Sequence, residues 1–201
     1  MNLTALVALI LSTILLTFPD IGRAAEPFSS DERRGLAGGE VLVRVDPDPA
    51  GASGRINAIV DIAVPPAQLW SLMTDCARSL TYVKGLTVCR VTERGTDGRT
   101  DVREQVIKKL AILPTVRTVF RSEYDEPREI RFKRVGGDLP VLEGTWTLLP
   151  LANGTRTRLV YMARLGITTV VPPTILRGLI RSEVTSTLED LRAEAVRARK
   201  R

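Results

Sequence analysis

The last part of the chain carries apolar residues at helical spacing. From about Thr174 to Lys200 the apolar positions follow one another at steps of three or four residues, which places them on one face of a helix. This face comprises Leu176, Ile180, Val184, Leu188, Leu191 and Ala195. Because most charged residues lie elsewhere around the helix, the pattern predicts a long amphipathic helix whose apolar face must be covered by another element.

Ahead of this helix, eight short runs are typical of strands, several of them with alternating apolar and polar residues. The first two runs are consistent with a hairpin, and two short helical segments follow, over Pro66–Ala77 and Ser79–Val83. Short connections between the last six runs favour an antiparallel meander. The eight runs are Gly39–Pro49, Gly54–Val64, Leu86–Thr92, Thr100–Leu110, Val116–Tyr124, Ile130–Val135, Val141–Leu149 and Thr155–Leu165.

The alternation also predicts which side chains point inward. Trp146 shares a strand face with Leu142, and Tyr161 shares one with Leu159 on the next strand. These residues either line a cavity or fill the core. The charged residues of the strands, such as Arg103 and Glu104, are expected mostly to face solvent on the other side of the sheet.

The N-terminus has the pattern of a secretory signal peptide. An apolar run from Leu3 to Phe18 is followed by the small-residue site Gly22-Arg23-Ala24. The expected division is a signal peptide at 1–24, a linker at 25–38 and one domain at 39–201, which predicts a periplasmic or secreted protein. The alternative is an uncleaved membrane anchor, for which the apolar run is short.

Composition narrows the chemistry. The chain has no histidine, so it contains neither a Ser-His-Asp nor a Cys-His catalytic arrangement and no His-ligated metal site. Cys76 and Cys89 are the only cysteines and either form one disulfide or remain two buried thiols. No metal or cofactor is expected. The net charge of +6 suits an anionic surface, but the low aromatic content and the predicted export argue against nucleic acid as a partner.

Three segments resemble one known superfamily. They are VDIAVPPAQLWSLMTD (Val60–Asp75), EGTWTLLPLANGTRTRLVY (Glu143–Tyr161) and TLEDLRAEA (Thr187–Ala195). Together they resemble the START-like (SRPBCC) superfamily, in particular its polyketide cyclase / coenzyme Q-binding branch. The resemblance implies an α+β helix-grip fold, also called START-like or Bet v 1-like: a curved antiparallel sheet wrapped around the C-terminal helix, with two short helices after the first strands.

The resemblance further implies an apolar cavity between the sheet and the long helix. The positions expected to form its wall are Trp70, Phe120, Tyr124, Phe132, Trp146, Tyr161, Leu176, Ile180 and Val184. Members of the superfamily bind lipids, quinones, polyketides or hormones. The implied function is therefore that of an exported carrier of a hydrophobic small molecule.

One end of the meander collects apolar loops, which needs a reason because loops are usually solvated. The expected cavity mouth at this end comprises Ile112, Leu113, Leu139 and Val170, with Arg134 nearby. The apolar loops would contact a membrane or would cap the bottom of the core. Arg134 would either pair with a ligand headgroup or lie in water at a frayed strand end.

Two other functions remain open at this point. One is a cyclase or aromatase that uses cavity tyrosine, arginine or glutamate side chains, with Tyr124 and Glu104 as conceivable acid–base groups. The other is an interaction module with a filled core and no ligand. No residue is assigned as catalytic from the sequence.

Overall fold

The computed structural model describes residues 28–29, 34–36, 38–108 and 115–199. Its centre is one antiparallel sheet of eight strands in the order β1-β2-β8-β7-β6-β5-β4-β3. The strands are β1 Leu42–Asp46, β2 Gly54–Ile62, β3 Leu86–Arg94, β4 Thr100–Ile107, β5 Val116–Asp125, β6 Glu129–Gly137, β7 Val141–Leu151 and β8 Arg156–Gly166. The predicted hairpin and the predicted meander of six strands are both confirmed.

The described fold also contains the helices α1 Pro66–Thr74, α2 Cys76–Tyr82 and α3 Pro173–Arg199, and residues 34–36 are helical as well. Asp75 separates α1 from α2, and its carboxylate accepts hydrogen bonds from the backbone N–H groups of Ala77 and Arg78. Such a side chain satisfies N–H groups that have no partner within the helix, so the residue starts α2. The architecture is the predicted helix-grip α+β fold, in which α3 is held by the curved sheet.

The buried face of α3 is the one that the sequence predicts. Leu176, Ile180, Leu188, Leu191 and Ala195 are buried. Towards its C-terminus the helix packs on β2, β7, β8 and α1, and towards its N-terminus it packs on a smaller cluster with residues of β2, β6 and β8. No helix among the described residues is long and apolar enough to cross a membrane.

Part of the segment predicted as a linker packs on the outer face of the sheet. Phe28 and Leu36 are buried against Ile59 of β2. The guanidinium of Arg44 lies 5.2 Å from the centre of the Phe28 ring. Isolated apolar residues in a polar stretch can thus cover an apolar patch on an outer sheet face.

Helix α2 is linked to two neighbouring elements. A disulfide joins Cys76, at the start of α2, to Cys89 of β3, so the prediction of one bridge is confirmed. On the other side, Arg78 forms an ion pair of 3.2 Å with Glu194 of α3. Helix α2 is thereby held between the edge strand β3 and the long helix α3.

Candidate ligand-binding cavity

A cavity of about 230 Å³ lies between the inner face of the sheet and helices α2 and α3. Its lining comes from strands β4 to β8, from α2 and α3, and from the end of α1. The lining residues are Met73, Ser79, Tyr82, Val83, Arg103, Gln105, Phe120, Ser122, Tyr124, Ile130, Phe132, Leu142, Trp146, Tyr161, Thr187 and Leu191.

One wall of the cavity is aromatic and belongs mainly to β6, β7 and β8. Trp146 and Tyr161 are directly opposite each other on β7 and β8, and their rings stack with centres 3.8 Å apart and planes 14° apart. Phe132 continues the stack at 6.2 Å from Tyr161, and Phe120 meets Phe132 edge to face at 6.1 Å. The four rings pack against one another in stacked and edge-to-face pairs and make this wall of the cavity apolar.

The close approach of β7 and β8 beside this stack depends on Gly144. A Cβ atom at this position would lie 2.2 Å from the carbonyl oxygen of Met162 and 2.8 Å from the Cα of Ala163. Both contacts are with backbone, which cannot rotate away. A residue without a side chain is therefore required at this point of the cavity wall.

The opposite wall is polar and is formed by α2, β4 and β5. Arg103 is buried, and its Nε donates to both carboxylate oxygens of Asp101 at 3.0 and 3.2 Å. Its Nη2 donates to the carbonyl oxygen of Thr74 at 2.7 Å. The guanidinium also lies 5.7 Å from the centre of the Tyr124 ring. A buried cation held in this way is paired, yet its group still borders the cavity.

Tyr124 carries a buried hydroxyl group without a well-formed hydrogen bond among the described residues, although the Ser122 and Asp101 side chains are near enough to influence its acidity. Burial raises the pKa of Tyr124 to about 12, against a smaller opposing effect of Arg103. Burial likewise raises the pKa of Tyr161 and of Tyr82. All three phenols therefore stay protonated at neutral pH, so each hydroxyl keeps a proton that it could donate to a ligand.

The structure brings five of the nine expected wall residues together at the cavity: Phe120, Tyr124, Phe132, Trp146 and Tyr161. The other four lie behind the wall. Trp70 is buried and meets Tyr124 edge to face with ring centres 5.9 Å apart. Leu176 and Ile180 are buried in the cluster that supports Phe132, and Val184 packs against the same cluster. The three residues of α3 face the core because α3 touches the sheet directly near its N-terminus and borders the cavity only around Thr187 and Leu191.

The expected mouth residues do not form one group. Leu139 is buried, Val170 is fully exposed, and Ile112 and Leu113 lie outside the described residues. Arg134 is exposed near the end of β6 and donates to the carbonyl oxygen of Gly137, which corresponds to the expected placement at a strand end in water.

Sequence reasoning missed the polar wall. The alternation in β4 was expected to turn Arg103 towards solvent, but Arg103 points inward and is paired there with Asp101 two residues earlier on the same strand face. That spacing of opposite charges indicates a pair on one strand face but not its burial, since Glu129 and Arg131 have the same spacing and form an exposed pair. Glu104 points outward between Arg117 and Arg90, which hold the pKa of its carboxyl below the usual value. It does not face the cavity and therefore does not fit the acid–base role.

The described cavity lining contains no aspartate or glutamate side chain. Among the described residues, no three histidine, cysteine, aspartate or glutamate side chains lie close enough together to hold a metal ion. The chemistry available at the cavity is thus hydrogen bonding from arginine, glutamine, serine, threonine and tyrosine beside an aromatic surface.

Solved structures with the same fold come from several organisms. The protein TTHA0849 from Thermus thermophilus is 26% identical, with a TM-score of 0.62 over 72% of this chain and 98% of that one. The Zhui aromatase/cyclase from Streptomyces sp. R1128 is 16% identical, with a TM-score of 0.59 over 71% and 93% of the two chains. The STAR-related lipid transfer protein from Xanthomonas axonopodis is 14% identical, with a TM-score of 0.64 over 77% and 93%.

No curated protein has a sequence significantly similar to this chain. A family model does match it, over residues 62–192, from the end of β2 almost to the end of α3. That range is more than half of the chain and contains every residue named above as lining the cavity. The chain therefore belongs to the family described as polyketide cyclase / dehydrase and lipid transport.

Proposed function

We propose that this protein binds and carries an amphipathic small molecule with a flat apolar body and one polar end. The observation that carries the proposal is the two-sided cavity, in which a cluster of four aromatic rings faces a wall with a buried, paired arginine. Such a site suits a ligand whose apolar body contacts the aromatic wall while a carbonyl or hydroxyl group accepts a hydrogen bond from Arg103.

The cavity size limits the ligand. Its volume of about 230 Å³ exceeds the roughly 150 Å³ that is enough for a single benzene ring. It falls below the range of about 300–1,000 Å³ that is usual for sites of drug-sized ligands. A molecule of two or three rings, or one end of a longer lipid, fits these limits. A larger ligand would require α2 to move away from α3.

The protonation states at the cavity favour a carrier over an enzyme. General acid–base catalysis near neutral pH needs a group that gains and loses a proton there. The chain has no histidine, the described lining has no carboxylate, and the pKa of Tyr124 is raised to about 12. The names of two neighbours are consistent with both readings, since one is an aromatase/cyclase and another a lipid transfer protein.

A cyclase or aromatase remains the second candidate because of one feature. Arg103 and the Tyr124 hydroxyl are neighbouring donors that could polarise one carbonyl group without a base. Conversion of a poly-β-ketone substrate by the purified protein would support this candidate. Binding without turnover would support the carrier.

We also propose that the protein is exported, with residues 1–24 removed, and that it meets a membrane at its place of action. The signal-like N-terminus and the Cys76–Cys89 disulfide support export, because disulfides persist in oxidising compartments. The intact mass of the protein after cell fractionation tests this. A mass that retains the leader, or a cytoplasmic location, would contradict the proposal.

The two tryptophans allow a direct test of the binding site. Trp146 lines the cavity and Trp70 does not, so Trp70→Phe leaves a single reporter in the site. Titration of this variant with 2-acetylnaphthalene, a flat ketone, should change the tryptophan emission and saturate at one molecule per chain. In the matched variant Trp146→Phe the emission of Trp70 should respond much less. Absence of saturable binding would overturn the proposal.

The role of the polar wall is tested with a second ligand that lacks the carbonyl group. In Asp101→Asn with Arg103→Met, affinity for 2-acetylnaphthalene should fall about tenfold or more, since a hydrogen bond from a charged group contributes about 1.5–3 kcal/mol. Affinity for naphthalene should stay nearly unchanged. Equal losses for both ligands would show damage to the whole cavity and would contradict the assigned polar end.

A further inference from the structure

The N-terminal part of α3 and the loop before it form a tip that combines apolar and basic side chains. We propose that this tip, defined by Val170, Ile175, Arg177 and Arg181, docks on the surface of a bilayer that contains anionic phospholipids. Val170 is 101% exposed and Ile175 is 57% exposed, and Arg181 is also exposed. The biological role of this docking rests on the proposed carrier function, but membrane binding by the tip can be measured independently of ligand binding in the cavity.

The exposure of Val170 is imposed by the loop that carries it. The Ser53 hydroxyl accepts a hydrogen bond from the backbone N–H of Ile167 at 2.8 Å and donates one to the Ile167 carbonyl oxygen at 3.2 Å. Ile167 and Val171 both pack against the core, and the Val171 N–H bonds to the Thr169 hydroxyl. Since residues on both sides are anchored inward, Val170 is held outward by the structure.

The two arginines of the tip have charge available for a partner. Neither Arg177 nor Arg181 forms an ion pair with a described residue. In the second half of α3, by contrast, Arg192, Arg197 and Arg199 each contact a carboxylate or a backbone carbonyl. Arg177 and Arg181 are therefore the arginines of α3 whose guanidinium groups have no partner among the described residues, and both lie in its N-terminal part.

The spacing of these residues matches the layers of a bilayer surface. At about 1.5 Å per residue, Arg177 and Arg181 lie about 3 and 9 Å further along the axis than Ile175. The headgroup layer on each side of the hydrocarbon core is about 5–8 Å thick. If the helix approaches end on, Ile175 and Val170 enter the acyl boundary while both guanidinium groups remain at the level of the phosphates.

A bilayer accounts for the apolar and the basic residues together. An acidic protein would pair with Arg177 and Arg181 but would leave the fully exposed Val170 unexplained. Apolar side chains that insert beside cations that contact anionic headgroups are typical of proteins that bind at the membrane interface. The tip also lies at the end of the sheet where β4, β6 and β8 terminate, the end at which a membrane contact is predicted from the sequence.

Vesicle binding tests the proposal with the full-length protein after any processing in the cells that produce it. Co-sedimentation with vesicles of phosphatidylcholine and phosphatidylglycerol should exceed that with phosphatidylcholine alone and should weaken with added salt. Arg177→Gln with Arg181→Gln should lower the partition coefficient about 25-fold, from about fivefold per arginine. Val170→Ser with Ile175→Ser should weaken binding to the same vesicles.

A matched control removes the same charge at the other end of the sheet. Arg99 and Arg156 are exposed there and form no ion pair with a described residue, so Arg99→Gln with Arg156→Gln should bind vesicles like the unchanged protein. An equal loss in this control, or unchanged binding of the Arg177/Arg181 variant, would refute the docking surface. Titration of each variant with 2-acetylnaphthalene checks the fold and separates a failure of docking from a failure of the cavity.

Discussion

Replacement of Asp101 by asparagine should destabilise the protein more than any surface charge change. The side chains of Asp101 and Arg103 are only 4% and 8% exposed, and the two groups are in direct contact at 3.0 Å. At a charge separation of about 4 Å and an effective dielectric constant of about 20, their attraction amounts to about 4 kcal/mol. Without the carboxylate, Arg103 keeps the Thr74 carbonyl oxygen but becomes an uncompensated buried cation.

We therefore expect Asp101→Asn to lower the free energy of unfolding by about 3 kcal/mol, at the lower end of what breaking a buried pair usually costs. Arg103→Met should cost a similar amount, because it leaves the carboxylate unpaired. The double replacement should cost much less than the sum, since apolar or neutral groups of similar size need no charge partner. Urea unfolding followed by far-ultraviolet circular dichroism measures all three.

If the effects of the two single replacements simply add up in the double variant, Asp101 and Arg103 do not form a buried, coupled pair. If Asp101→Asn costs less than about 1 kcal/mol and the double variant shows no coupling, water in the cavity solvates Arg103 and the pair acts as an exposed one. In that case the polar wall would be open to solvent, and the cavity would be a cleft. An exposed pair such as Arg131 with Glu129 serves as the reference for such behaviour.

Three further outcomes are expected. Cys76→Ser with Cys89→Ser should lower the free energy of unfolding by about 3 kcal/mol, because the bridge closes a short loop; urea unfolding with an unchanged midpoint would contradict this. Gly144→Ala should cost at least about 1–3 kcal/mol, since the new Cβ would overlap the backbone of β8; a thermal melt equal to that of the unchanged protein would contradict it. The raised pKa of Tyr124, about 12 against 10.0 unfolded, means that the folded state holds its proton longer, so stability should fall as pH rises from 10 to 12. Unfolding at several pH values should show a smaller fall in Tyr124→Phe, and an identical fall would show that the phenol is not buried.

Much of the cavity's aromatic wall follows from local patterns. Alternation places Trp146 and Tyr161 on inner strand faces, and the short turn between β7 and β8 makes them neighbours. The stacked pair could thus be expected from sequence once the strands are in register. The polar wall could not be found in this way, because alternation treats Arg103 as a solvent-facing residue. Its inward position depends on Asp101 and on the Thr74 carbonyl oxygen, which comes from a distant part of the chain.

Sequence patterns also do not show which residues of α3 border the cavity. Spacing correctly predicts that Leu176, Ile180 and Val184 face the sheet, but spacing does not reveal how far the sheet stands from the helix at each turn. The sheet touches the helix near residue 176 and leaves room only near Thr187 and Leu191. A cavity is a gap between packed surfaces, and its place depends on curvature and on the sizes of facing side chains.

The sequence by itself determined most of the strands, the helices and their inner faces, because side chains return to the same face every two residues in a strand and every 3.6 residues in a helix. The sequence also determined which intramolecular disulfide is possible, since Cys76 and Cys89 are the only cysteines, and the structure shows that this bridge forms. Only the tertiary structure decided which inner residues border open space, that Phe28 covers the outer face, and that Arg103 is buried with a partner. These features are set by distances between elements far apart in sequence, which no local pattern encodes.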